Sequence, residues 1–187
     1  MAIQIPSPKE RNLFLSSQVD QASINALTKS ILDINEDDVY LQKLYEIHGF
    51  QYTPKPIKLY IDSYGGYAYQ CLGLLSIMKK SAVPIQTITT GCAMSCGFLI
   101  AITGKKRLAY EKSTFLYHQV SSGSIGKLKE IEEDVIETKR LQSIVEKHTL
   151  DNTSITKQQL KENYETKKDW FMNAKEALKF GVIDEII

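Results

Sequence analysis

The chain has 187 residues, 43% of them hydrophobic and 24% charged, with a net charge of +1. That balance suits one folded domain with a sizeable core, and neither a nucleic acid nor an anionic membrane surface is expected as a partner. No apolar run approaches the ~20 residues of a membrane span, and the start MAIQIPSPKE lacks the basic head, apolar stretch and cleavage site of a secretory signal, so a cytoplasmic location is expected.

In chain order, residues 1–11 are polar with two prolines and read as a loose arm. NLFLS reads as a short strand. From Asp20, the recurrence of Ile24, Leu27 and Ile31 predicts a helix that NEDD interrupts, with a second short helix over VYLQKLYEIHG ending at Gly49. TPKP is a breaker. IKLYID alternates as a strand, SYGG is a turn, and residues 67–80 form a helix. PIQTITT is a β-branched strand, SCGFLIAIT a short buried helix, and KRLAY and STFLYHQ two further strands. After the SSGSIG loop, a long helix is predicted over residues 127–148. Leu128, Ile131, Val135, Leu141, Ile144 and Val145 form its stripe, and His148 is a cation in the last turn. Thr156 with Gln159 and Asn173 with Glu176 are capping boxes for two short helices, and VIDEII is a closing strand. Alternating strands and helices without repeat or linker give a single α/β domain over residues 1–187.

The three cysteines, Cys71, Cys92 and Cys96, are expected as buried reduced thiols; Cys92 and Cys96 lack the second pair that a metal site would want. Ser95, in GCAMSCGFLIA, fits two readings. It is a small residue that lets a helix pack closely, or a nucleophile at a helix start, where free N–H groups await an oxyanion. Gly65 and Gly66 likewise form either a tight turn or a backbone able to approach a substrate. Acyl transfer also needs a base and an acid to orient it. His48 and His148 sit on helices and read as structural, whereas His118 ends an apolar strand before a Gly/Ser loop, as site-edge residues do.

Four motifs, in order, resemble the ClpP family, the proteolytic subunits of the Clp serine protease. LYIDSYGG is similar to the family's LYINSPGG, TTGCAMSCGFLIA to its nucleophile segment, FLYHQ to its MIHQ, and KKDWFMNAKEALKFGVID to its C-terminal pattern. The resemblance implies a ClpP/crotonase-like α/β fold of repeated β-β-α units, with a protruding helix-strand handle at about residues 119–149. It implies Ser95 as nucleophile, His118 as general base, and Asp169 as the acid that orients it. The backbone N–H groups of Gly66 and Cys96 would form the oxyanion hole, and Asp184 falls on a structural position. Tyr60 falls near the family's docking pocket for a ring ATPase. The implied activity is endopeptidase cleavage of unfolded proteins or peptides, with no metal or organic cofactor. It would occur inside a homo-oligomeric chamber of heptameric rings, stacked in pairs, with an AAA+ ATPase as partner.

The chain departs from the pattern at Tyr64 and Val120, where the family has proline, and in a shortened segment before the long helix. The stretch 35–56 is longer than the usual connection and is expected to decorate an outer face, while the arm before Leu13 is short. Such departures resemble divergent or phage-encoded relatives, some of which process capsid proteins. Two rivals stand beside the peptidase: a non-catalytic ring subunit, which need not keep Ser95, His118 and Asp169, and a hydratase of the related crotonase fold, which would leave that set unexplained.

Overall fold

A computed structural model describes residues 8–166 and 168–187. The elements run β1 (Asn12–Leu15), α1 (Gln21–Ile47), β2 (Ile57–Ser63), α2 (Ala68–Lys80), β3 (Ile85–Met94), α3 (Cys96–Ala101), β4 (Lys106–Ala109), β5 (Thr114–Tyr117), α4 (Leu128–Asn152), α5 (Lys157–Thr166), β6 (Trp170–Asn173), α6 (Ala174–Lys179) and β7 (Glu185–Ile186). The fold is mixed α/β, with a mostly parallel sheet ordered β1-β2-β3-β4-β7. β3 changes partner along its length: Gln86–Thr89 pair with β4, and Cys92–Met94 pair with β5. β6 then adds to β5 antiparallel. Ile57, Leu59 and Ile61 of β2 alternate into a core shared with Leu74, Phe98, Ile100 and Phe115.

β3 is longer than PIQTITT because a bulge lets it continue through GCAM. Ile61 pairs with Thr89 but Ser63 with Ala93, so Thr90, Gly91 and Cys92 stand against Asp62 alone. The Asp62 carboxylate fills the gap and accepts from the Cys92 N–H at 2.9 Å. A Cβ on Gly91 would lie 2.4 Å from that carboxylate.

The expected break at NEDD does not occur; α1 is one helix of 27 residues. Ile31, Ile34, Asp38 and Leu41 keep one buried face, and the segment holds no glycine or proline to stop it. Asp38 is buried and paired with the buried Arg11, whose Nη1 donates to Asp38 Oδ2 at 2.8 Å and to the Lys55 carbonyl at 2.8 Å. Tyr52 donates its hydroxyl to the same carboxylate. Burial works against the Asp38 charge, yet Arg11 and Tyr52 hold its pKa below the ordinary value. Burial and the Asp38 carboxylate together push the Tyr52 phenol up to about 12. Arg11 is therefore fixed rather than part of a loose arm; residues 1–7 lie outside the described residues. In the 35–56 stretch, the second half of α1 carries Asp38, and the loop after it returns Tyr52 and Lys55 to Arg11.

α4 runs one turn past the expected end, so His148 is not a terminal cation. It is buried and bonded to Thr103 Oγ1 at 2.9 Å, and burial with the nearby Lys79 lowers its pKa. Only the second half of α4 docks, through Leu141, Val145, His148 and Thr149. Leu128 and Val135 on the first half stay 71% and 46% exposed, so the expected stripe is unpartnered at these positions, and no strand forms among the described residues 118–127. β6 was not expected from KKDWF, and β7 spans only two residues of VIDEII. The Thr156/Gln159 and Asn173/Glu176 capping boxes form as read. Among the described residues no helix is long and apolar enough to cross a membrane.

Removing one partner of a buried ion pair strands the other charge. Asp38→Ala is expected to destabilise the fold by about 3–5 kcal/mol in urea denaturation, and Arg11→Met/Asp38→Leu together by much less.

Candidate active site

Ser95 links β3 to α3 in one step, with φ 54° and ψ −120°. It is the only non-glycine residue at positive φ among the described residues. Such a conformation costs about 1–3 kcal/mol and is held only where the surroundings fix it. Here the Ser95 N–H donates to the Leu116 carbonyl of β5 at 3.0 Å, and the Leu99 N–H donates to the Ser95 carbonyl at 3.2 Å. The small residues around it are explained by close backbone approach. A Cβ on Gly65 (φ +96°) would lie 2.7 Å from the Met94 carbonyl and from Ser95 Cβ, and one on Gly97 would lie 2.8 Å from the Ser63 carbonyl. The turn after β2 is thus pressed against the elbow that carries Ser95.

Gly66 is anchored from the other side. The Val19 N–H donates to the Gly65 carbonyl and the Tyr67 N–H to the Val19 carbonyl, both at 2.8 Å, and a Cβ on Gly66 would meet Val19 O at 2.2 Å. The N–H groups of Gly66 and Cys96 donate no hydrogen bond among the described residues. Cys96 directs its thiol to the Gly66 carbonyl, Sγ to O 3.3 Å, and Cys71 Sγ lies 3.5 Å from the Cys96 carbonyl. All three cysteines are free and buried. Burial and the Asp62 carboxylate push the Cys92 thiol up to about 11. No cluster of three or more His, Cys, Asp or Glu that could hold a metal ion occurs among the described residues.

Ser95, Cys96, Gly66 and His118 line one cavity of about 170 Å³. Its remaining walls are mainly apolar: Leu72 from α2, Phe98 from α3, Tyr117 from β5, and Leu141 and Val145 from α4. Burial and the charge of Glu146 push the Tyr117 phenol up to about 12. A larger cleft of about 770 Å³, lined by Lys79, Arg107, Asp151 and Asp184, contains none of these groups. Asp184 there pairs with Arg107 and accepts from its backbone N–H at 2.8 Å.

His118 is half-buried, and its Nδ1 lies 2.5 Å from the Gln119 carbonyl. Asp169 is exposed and lines a separate recess with Gln159, Asn163 and Trp170. It makes no hydrogen bond to His118, but the strand register relates the two. β5 and β6 pair from Thr114↔Asn173 to Tyr117↔Trp170, so His118 and Asp169 are the residues just beyond the last pair, outside both strands. Tyr60 is half-buried on β2 and stacks on the exposed Phe14, ring centroids 5.2 Å apart. Val120, unlike a proline, has an N–H to give, and donates it to Gln142 Oε1 of α4 at 2.8 Å. The cavity walls from α2 and α4 were not read from the sequence; adjacency to His118 was the one available signal, and it marked only Tyr117.

A strained strand-to-helix serine, with free N–H groups and a histidine at one cavity, has the layout of a nucleophile elbow. The family model described as Clp protease matches residues 7–187. The chain belongs to the Clp protease family. An ATP-dependent Clp protease proteolytic subunit of Deinococcus radiodurans is 28% identical over 181 residues, covering 96% of this chain and 81% of the relative. An ATP-dependent Clp protease proteolytic subunit 2 of Prochlorococcus marinus is 31% identical, covering 95% and 82%, and one of Synechococcus sp. is 29% identical, covering 96% and 84%. The parallel-rich α/β sheet agrees with membership in this protease family.

The positive φ at Ser95 has a thermodynamic signature. Ser95→Gly is expected to be more stable than Ser95→Ala by about 1 kcal/mol, because only glycine adopts that backbone freely; thermal denaturation of the two variants checks it.

Proposed function

We propose that this Clp protease family member is a serine endopeptidase that cleaves unfolded proteins or peptides. The observation that carries the reading is Ser95 at its strained elbow, facing a cavity it shares with His118 and two uncommitted N–H groups. Ser95 Oγ attacks the peptide carbonyl, and His118 accepts its proton and returns it to the leaving amine. The Gly66 and Cys96 N–H groups receive the oxyanion, and water then hydrolyses the acyl-enzyme by the same route. The apolar cavity takes the substrate side chain on the acyl side. Asp169 completes the triad when His118 Nδ1 exchanges the Gln119 carbonyl for the Asp169 carboxylate. That move makes the present arrangement a resting one.

By analogy with the relatives named as ATP-dependent proteolytic subunits, the working form is a cytoplasmic homo-oligomer of heptameric rings, with an AAA+ ATPase docking near Tyr60 and Phe14. The unpartnered first half of α4 is the handle that joins two rings. A second reading, a dormant ring subunit that waits for an active paralogue, is favoured by the His118–Gln119 contact and by His118 and Asp169 lining different recesses.

Intact-protein mass after fluorophosphonate treatment separates the two. One adduct on the wild type and none on Ser95→Ala is expected; a wild type without adduct, alone and with an ATPase, would leave the dormant reading. Asp169→Asn is expected to lower kcat by roughly 10⁴ while Asp184→Asn acts on stability alone, as read from peptide hydrolysis and denaturation.

A further inference from the structure

Two cysteines meet beside the serine, and the mechanism above uses neither sulfur. Cys96 is 6% exposed and lines the cavity next to Ser95, whereas Cys71, on α2, is fully buried and takes no part in the cavity wall. Cys71 Sγ lies 3.5 Å from the Cys96 carbonyl and beside the Cys96 thiol, and Cys96 Sγ lies 3.3 Å from the Gly66 carbonyl. The two sulfurs have different surroundings. Contact with Cys71, the Gly66 backbone and the Ser95 hydroxyl holds the Cys96 thiol below its ordinary pKa, against the effect of burial. Contact with Cys96 and burial push the Cys71 thiol well above its own. The third thiol, Cys92, is buried against Asp62 instead.

A thiol at a cavity, backed by a second thiol, is the arrangement of a reacting and a resolving cysteine. The cavity of about 170 Å³ is several times the ~30 Å³ that one water takes up, so a molecule as small as hydrogen peroxide fits against Cys96. The Cys96 thiolate attacks one peroxide oxygen, the O–O bond breaks, and the departing hydroxide takes up the thiol proton as water, which leaves Cys96 as a sulfenic acid. The Cys71 sulfur then attacks the Cys96 sulfur. The S–O bond breaks, and the hydroxyl leaves with the Cys71 proton as a second water. Two thiols and one hydrogen peroxide thus give one disulfide and two waters. A disulfide sulfur carries no proton, so the contact from Cys96 to the Gly66 carbonyl loses its donor. The residues of that contact are the two whose N–H groups receive the oxyanion in the proposed mechanism. The new bond also ties the first residue of α3 to α2.

We infer that Cys96 and Cys71 are a peroxide-sensitive dithiol, in which Cys96 reacts and Cys71 resolves, and that their disulfide shuts down the site around Ser95. The loss of activity rests on the serine-endopeptidase reading above; the disulfide does not. The test exposes wild type, Cys71→Ala and Cys92→Ala to hydrogen peroxide and quenches with catalase. One portion is alkylated under denaturing, non-reducing conditions and mapped by peptide mass, and a native portion is labelled with fluorophosphonate. In the wild type, a peptide pair joined through Cys71 and Cys96 is expected, with Cys92 alkylated. Labelling of Ser95 is expected to slow by about 10²-fold, as for loss of an oxyanion donor, and to recover with dithiothreitol. Cys92→Ala is expected to behave as the wild type. Cys71→Ala is expected to form no disulfide, to carry Cys96 on to the sulfinic acid, and to stay slow after dithiothreitol. A wild type whose Cys71 and Cys96 are both alkylated after peroxide, or joined to other partners, overturns the inference, and this arm decides alone if Cys71→Ala does not fold. A Cys71–Cys96 disulfide that leaves labelling unchanged overturns the control of the site. A reduced wild type that never labels counts against the peptidase reading, while the peptide map still decides the dithiol.

Discussion

The site depends on one close backbone contact, the turn after β2 pressed against the turn that ends β3. Gly65 has no room for a Cβ beside Met94 and Ser95, Gly66 has none beside Val19, and Gly97 has none beside Ser63. Gly65 and Gly97 therefore let these two backbones meet where any side chain would hold them apart, and Gly66 lets the same turn reach the Val19 backbone. The contact has two results. It holds Ser95 at a φ that an isolated serine avoids, and it leaves Gly66 and Cys96, whose N–H groups donate no hydrogen bond among the described residues, lining the same cavity as Ser95. A free N–H at a cavity is a cost to the fold and an asset to a reaction that develops negative charge on oxygen.

The rest of the molecule supports that contact in layers. The bulge opposite Asp62 gives β3 the extra residues to climb past β2 and reach β5. The pairing of Met94 with Leu116 in turn brings β5, and so Tyr117 and His118, to the serine. Behind α3, the buried His148 joins α4 to Thr103 and Leu99 and so backs the cavity. On the far side, Arg11, Asp38, Tyr52 and Lys55 tie the start of β1 to the second half of α1 and the loop before β2. At Asp38, Tyr52 and His148, electrostatics serves the scaffold: their pKa shifts arise from burial and fixed partners away from the serine.

Most of the elements were legible because they carry local signals. The alternation of IKLYID and the capping pairs Thr156/Gln159 and Asn173/Glu176 are set by nearest neighbours, and the structure agrees with each. The failures share a cause in tertiary partners. Asp38 looks like a solvated breaker until Arg11, 27 residues away, is known to face it. His148 looks like a helix-end cation until Thr103 is known to cover it. β6 has no pattern of its own, since Trp170 and Phe171 read as strand only beside β5. For the site, Ser95, Gly66, Cys96 and His118 were singled out by motif and come to one cavity, while the walls from α2 and α4 depend on packing that no short motif encodes.

The late position of β6 bears on how the molecule is made. β3, α3 and β5 are all complete by Tyr117, so a growing chain can already bring Ser95 and His118 together. The strand that follows Asp169 is among the last to leave the ribosome, after two further helices. On the triad reading, the nascent protein carries a nucleophile and a base but no acid to orient them while α4 and α5 are made. On that same reading, a protease ordered this way stays quiet beside its own unfolded segments until the chain is nearly whole.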